Sequence, residues 1–136
     1  MTEHPITRWH GILARRDPSE LESWLDEDAV FFSPVVHTPQ RGRALVSLYL
    51  SAAYQVLFKD SFRYVREIIG PNDAMLEFEV NLDGTVVNGV DLIKWNDAGK
   101  VVEFKVMLRP LKAIQLIHER MGSMLQGSKP TPRPGT

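Results

Sequence analysis

Apolar positions recur along the chain with two distinct periods. Ile6, Trp9 and Leu13 fall at i, i+3 and i+7, which predicts a helix over Ile6–Arg16. Asp17-Pro18-Ser19-Glu20 follows. Asp17 suits a cap, Pro18 the first helical position, and Glu20 the place of a capping-box acid. A second, short helix carrying Leu21, Trp24 and Leu25 is therefore expected. Asp26-Glu27-Asp28 breaks the pattern, and Ala29–Ser33 reads as a short strand halted by Pro34.

After a loop over Pro34–Gly42, the segment Gly42–Phe58 predicts the longest helix. Arg43, Ser47, Ser51, Gln55 and Lys59 recur every four residues, and almost everything between them is apolar. A helix with so narrow a wet face needs neighbours on most sides, and a curved sheet supplies them. Four strand-like runs then follow: Ser61–Ile69, Ala74–Leu82, Thr85–Trp95 and Lys100–Leu108. Gly70-Pro71-Asn72, Asp83-Gly84 and Asn96-Asp97-Ala98-Gly99 separate them, so the region reads as an antiparallel meander. Pro110 opens a final helix with Leu111, Ile114, Ile117, His118 and Met121 on one side. Helices first and strands after give an α+β class.

Composition narrows the chemistry. With 136 residues, 43% hydrophobic, the chain suits one domain. It has no cysteine, which excludes disulfides, thiolate zinc sites, iron–sulfur clusters and cysteine nucleophiles. A net charge of -1 argues against nucleic acid or a polybasic membrane contact. No apolar run reaches the roughly 18 residues of a membrane span. No signal-peptide core is visible, so a cytoplasmic location is expected. The last ten residues, GSKPTPRPGT, hold Lys129 and Arg133 and no large apolar group. They read as a flexible tail after a domain over 1–126, whose own charge is then near -3.

Asp91 is the most informative polar residue. It shares one side of its strand with Val87, Gly89, Ile93 and Trp95. A carboxylate among buried apolar neighbours takes up a proton or finds a partner, and either outcome marks a candidate acid or base. The alternative is a hydrogen-bonded strand Asp or a wet edge. Glu77 and Glu79 alternate with Leu76, Phe78 and Val80. They read as the outer face, although either could approach Asp91 from the adjacent strand. His37 is a solvated loop histidine or a proton shuttle at a pocket mouth. Tyr49 and Tyr54 either line a cavity with their hydroxyls or fill the core. No histidine spacing suggests a metal, and no Gly-x-Ser-x-Gly elbow surrounds Ser33.

The ordered motifs resemble those of the nuclear transport factor 2-like superfamily, which includes ketosteroid isomerase, the SnoaL-type polyketide cyclases and limonene epoxide hydrolase. The matching segments are WHGILARRDP at Trp9–Pro18, WLDEDAVFFSP at Trp24–Pro34, NGVDLIKWNDAGKV at Asn88–Val101 and FKVMLRPLKA at Phe104–Ala113. The resemblance implies a cone-shaped, curved antiparallel sheet wrapped around the long helix. It also implies a mainly apolar pocket lined by Trp9, Phe31, Ser33, Tyr49, Tyr54, Asp91, Ile93, Phe104 and Val106. The isomerase's aspartate base maps to Ser33, its oxyanion tyrosine to Trp9, and its protonated aspartate to Asp91. The cyclase and epoxide-hydrolase aspartate maps to Val106. The expected function is binding of a small apolar or aromatic carbonyl compound, with cofactor-independent isomerase, cyclase or dehydratase chemistry. Asp91 is then the acid, His37 the base, and Glu77 a further substrate contact. The alternative is a non-catalytic binding or dimerisation module. Superfamily members commonly pair as homodimers through the outer sheet face, which here carries Glu103, Lys105 and Met107.

Overall fold

The computed structural model describes residues 3–128. Helix α1 spans Pro5–Arg15, with His4 Nδ1 accepting from the Ile6 N–H at its start. A 3-10 turn over Pro18–Glu20 leads into α2, Leu21–Trp24. Asp17 caps this turn through the Ser19 N–H. Glu20 does not close a capping box. It forms a two-pronged ion pair with Arg15 at 2.7 and 2.9 Å, a better partner for a carboxylate than one backbone N–H.

Strand β1 spans Leu25–Phe32 and is longer than its apolar run implies. Asp26, Glu27 and Asp28 remain extended at a register shift between Leu25 and Val30. The Asp26 carboxylate accepts from the Asp28 N–H and from Asn96 Nδ2, so the acidic stretch is tied down. The loop beyond contains a two-residue strand, β2, Gln40–Arg41, before α3, Arg43–Leu57.

The meander follows as β3 (Arg63–Ile69), β4 (Asp73–Leu82), β5 (Thr85–Trp95) and β6 (Val101–Arg109). Asp83 and Gly84 turn β4 into β5 with both φ angles positive, 52° and 95°, as a two-residue hairpin of right-handed strands demands. The sheet order is β2-β1-β6-β5-β4-β3. Every pairing is antiparallel except β1 with β6, which is parallel and sets Phe31 beside Phe104. A parallel pair needs a long connection, and α3 plus three hairpins provide it.

Helix α4 spans Leu111–Ser128. Residues 129–136 of the expected tail lie outside the described residues. Among the described residues, no helix is long and apolar enough to cross a membrane.

Two apolar clusters fill the concave side of the sheet. The larger joins α1, α2 and α3 to β1, β5 and β6 through Trp9, Trp24, Phe31, Leu50 and Phe104. The smaller joins α3 and α4 to β4 and β5 through Val56, Phe78, Val80, Val87 and Ile117. Between them the packing stays incomplete, and the polar groups of the candidate site stand there.

Candidate functional site

Alternation along β5 turns Val87, Gly89, Asp91, Ile93 and Trp95 inward, and all are buried. Asp91 is the one buried charged residue among the described residues, at 6% exposure. Its strand neighbours are Leu76 on β4 and Val106 on β6, so no charge lies directly opposite it. Burial pushes its carboxyl up to about 7, while the hydrogen bond from Tyr64 pulls the other way.

Tyr64 reaches Asp91 from β3, across β4. Its hydroxyl donates to Asp91 Oδ2 at 2.6 Å and accepts from the Trp9 indole N–H at 2.9 Å. Burial, and secondarily the charge of Asp91, hold the Tyr64 phenol well above its ordinary value. Trp9 is fixed by stacking on Trp24 at 4.7 Å and by an edge contact with Phe104 at 5.3 Å. A relay of three side chains, Trp9 to Tyr64 to Asp91, thus links a helix to two strands. Among the described residues Tyr64 is the one hydrogen-bond partner of the Asp91 carboxyl, through Oδ2.

The relay borders a chamber of about 40 Å³ lined otherwise by Leu13, Leu50, Phe58, Phe62 and Phe78, together with Tyr54, Phe104 and Val106. Tyr54 stacks on Phe58 at 5.0 Å, and among the described residues its buried hydroxyl has no hydrogen-bond partner. Such an orphan costs about 1–3 kcal/mol, so the hydroxyl stands ready for an incoming polar group. Asp91 is the only carboxylate or imidazole among the lining residues.

Of the residues expected at the site, Trp9, Tyr54, Asp91, Phe104 and Val106 meet at this chamber. Phe31, Ser33 and Tyr49 line an adjoining cavity instead. The Ser33 hydroxyl accepts from the Val35 and Val36 N–H groups and so shapes the loop after β1. Ile93 packs in the core between Ala74 and Phe104 and lines neither space. Glu77 is on the convex face, paired with Arg66 at 3.2 Å and accepting from Asn88. His37 is exposed and opens onto an outer groove with Lys105 and Met107. Neither Glu77 nor His37 shares the chamber with Asp91. Among the described residues, no group of three or more metal-ligating side chains converges.

Tyr64 is the residue at this candidate site that sequence reasoning missed. Phe62 and Tyr64 both face the chamber, but the register shift between Tyr64 and Arg66 puts the rest of β3 out of step with them, so the strand carries no continuous alternation from which Tyr64 could be placed.

Known proteins agree with this architecture. The SnoaL-like domain model matches residues 6–104. A steroid delta-isomerase from Pseudomonas aeruginosa is 36% identical, with 91% of this chain and 90% of that one covered at a TM-score of 0.86. An uncharacterized bacterial protein with a cystatin-like fold, from Silicibacter pomeroyi, is 31% identical over 88% of this chain and 83% of that one, at a TM-score of 0.80. A nuclear transport factor 2-like protein of unknown function from Mesorhizobium loti shares the fold at 20% identity, 78% and 88% coverage and a TM-score of 0.67. No functionally curated protein matches the chain. An open six-stranded sheet curved over a long helix, with an acid buried on its concave side, thus comes with a family match over most of the fold: the chain belongs to the SnoaL-like domain family and has the nuclear transport factor 2-like, cystatin-like fold.

Proposed function

We propose that this protein binds a small apolar or aromatic carbonyl compound at Asp91 and moves a proton on it without a cofactor. The observation that carries this reading is the Trp9–Tyr64–Asp91 relay at the wall of an otherwise apolar chamber. The likeness to a steroid delta-isomerase supports an isomerisation over a cyclisation or dehydration.

One carboxylate suffices for such a reaction. Ionised Asp91 takes a proton from the carbon beside the carbonyl, and the electron pair moves to the carbonyl oxygen. Protonated Asp91 no longer needs the Tyr64 hydrogen, so the phenol is released to donate to the developing enolate. The Trp9 N–H remains on the Tyr64 oxygen and holds it in place. Asp91 then returns the proton to the far carbon of the conjugated system. A base with a pKa near neutrality suits both halves. His37, on the outer groove, has no part in this scheme.

The test is conversion of 3-cyclohexenone to its conjugated isomer, followed by ultraviolet absorbance. The expected outcome is measurable conversion that falls about 10²–10⁴-fold in Asp91→Asn. Equal rates in the two proteins overturn the assignment.

The presence of a single carboxyl in the chamber favours a second reading, a ligand-binding module without turnover. It predicts that such ketones raise the melting temperature and are not consumed. Under either reading the protein pairs with a second copy through its convex face. There Met107, 52% exposed, lies beside Val90.

A further inference from the structure

The chamber at Asp91 is not sealed. Its partly exposed lining residues are Ala53, Tyr54, Leu57, Phe58, Phe62 and Tyr64, all on the run from α3 into β3. The lining residues contributed by α1, β4, β5 and β6 are all buried. The mouth of the chamber therefore lies along that run, and Asp91 stands on its buried side.

Arg16 reaches this mouth from the end of α1. Its backbone N–H bonds the Leu13 carbonyl at 3.2 Å and closes the helix in the left-handed conformation, at φ 54° and ψ 40°. Glycine holds such a cap without strain, whereas a residue with a side chain stores some. What arginine adds to the turn is a guanidinium over the Phe58 ring, 5.1 Å from its centroid, and Phe58 in turn stacks on Tyr54. Among the described residues the ion-pair partner of Arg16 is Asp60 at 3.7 Å, and Asp60 is fully exposed. That spacing is beyond a hydrogen bond, and an exposed pair of this kind is weak. Asp17 is engaged by the Ser19 N–H and hydroxyl. The neighbouring cations look elsewhere: Lys59 lines a groove with Glu119 of α4, and Arg63 pairs with Glu79 at 3.0 Å. Burial holds the Tyr54 phenol above its ordinary value, and the Arg16 charge pulls it back more strongly than Asp17 pushes it up.

Resting on the reading of Asp91 above, we infer that Arg16 and the Tyr54 hydroxyl form an anion subsite at the chamber mouth. The ligand class is then a short oxo acid, with its carbonyl inward at Asp91 and its carboxylate outward at Arg16. The guanidinium offers a carboxylate two parallel N–H donors, and the Tyr54 hydroxyl, without a partner among the described residues, offers a third. A carboxylate at the mouth keeps part of its hydration, whereas one beside Asp91 would be desolvated and would meet a second carboxyl. The charge thus fixes which end of the ligand enters. A chamber of about 40 Å³ admits a few water-sized groups. A ligand of that size gains little from apolar burial, so a paired charge carries a larger share of its affinity.

5-Oxohexanoate and 5-oxohexanamide share a ketone and a chain length and differ in charge, so the ratio of their dissociation constants isolates the mouth. Chemical-shift titration of the full chain should show the acid binding at least about fivefold more tightly than the amide. Arg16→Gly should bring that ratio to about one, and glycine suits the left-handed cap, so the helix end is kept. Asp60→Asn removes the competing carboxylate and should tighten the acid about twofold, a gain that a purely structural Arg16–Asp60 pair does not predict. Asp91→Asn should weaken both ligands alike, since it reports on the carbonyl end. If both ligands depend on Asp91 but bind equally, or if their ratio survives Arg16→Gly, the anion subsite is overturned and the chamber stands. If neither ligand binds, or both ignore Asp91→Asn, the chamber reading fails and the subsite with it.

Discussion

Tyr64 on β3 and Asp91 on β5 meet through a 2.6 Å hydrogen bond that passes over the inner face of β4. Two strands apart, they are joined across the curved sheet over β4, where Phe78 is the register partner of Tyr64 and Leu76 that of Asp91. This contact ties the best candidate for chemistry to the main core. It makes the protonation of one carboxyl a property of the whole concave side.

Stability should fall with rising pH because of Asp91. Its carboxyl sits near 3.8 when unperturbed and at about 7 in the fold. Between these values the folded protein holds a proton that the unfolded chain has released. The loss therefore begins near pH 4 and levels off above pH 7. Roughly three pH units at about 1.4 kcal/mol each give a loss on the order of 4 kcal/mol. Urea denaturation of wild type and Asp91→Asn at several pH values should show the two diverging by this amount. Parallel pH dependences would mean that Asp91 is not desolvated.

Tyr64→Phe should shift the same titration further toward alkaline pH. The substitution removes the one hydrogen bond that lowers the Asp91 pKa and leaves the Trp9 N–H without its acceptor. Stability should drop by about 1–3 kcal/mol. The acid limb of any pH–rate profile should move upward with the carboxyl. An unmoved limb would show that the base is another group.

Gly89→Ala should destabilise the fold by about 1–3 kcal/mol through overpacking. A Cβ at this position would stand 2.6 Å from both Leu108 and Phe78 and 2.8 Å from the Met107 carbonyl oxygen. The carbonyl belongs to the β5–β6 ladder and cannot retreat. Thermal unfolding measures the effect, and an unchanged melting temperature would contradict the close approach.

If the protein pairs through its convex face as proposed, Met107→Asp should turn that dimer into a monomer. The residue projects from the convex face between Lys105 and Arg109 on its own strand and lies beside Val90. A carboxylate placed in the proposed self-paired seam would be desolvated and face its own copy. Light scattering on the eluted protein checks this, and an intact dimer would place the seam elsewhere.

Much of the architecture was legible because periodicity reports burial. The four meander strands, the Asp83-Gly84 turn and the long third helix all follow from alternation, turn chemistry and a polar stripe. Asp91 stood out by the same logic, as a charge on the wrong side of an alternating strand. Its partner did not, because the β3 irregularity erased the parity of Tyr64. The parallel β1–β6 pair was also hidden, since pairing between distant strands leaves no local signature. His37 and Glu77 were drawn toward the site by residue type alone. Exposure and the ion pair with Arg66 explain why the fold keeps them outside.

The indole of Trp9 has one more consequence. It borders the Asp91 chamber, bonds the phenol that bonds the acid, and stacks on Trp24. Trp95 takes no part in that relay and stands edge-on to His4. The protein therefore contains a built-in optical sensor and an internal reference. Its native fluorescence should register both the arrival of a proton at Asp91 and the arrival of a ligand, without any attached label.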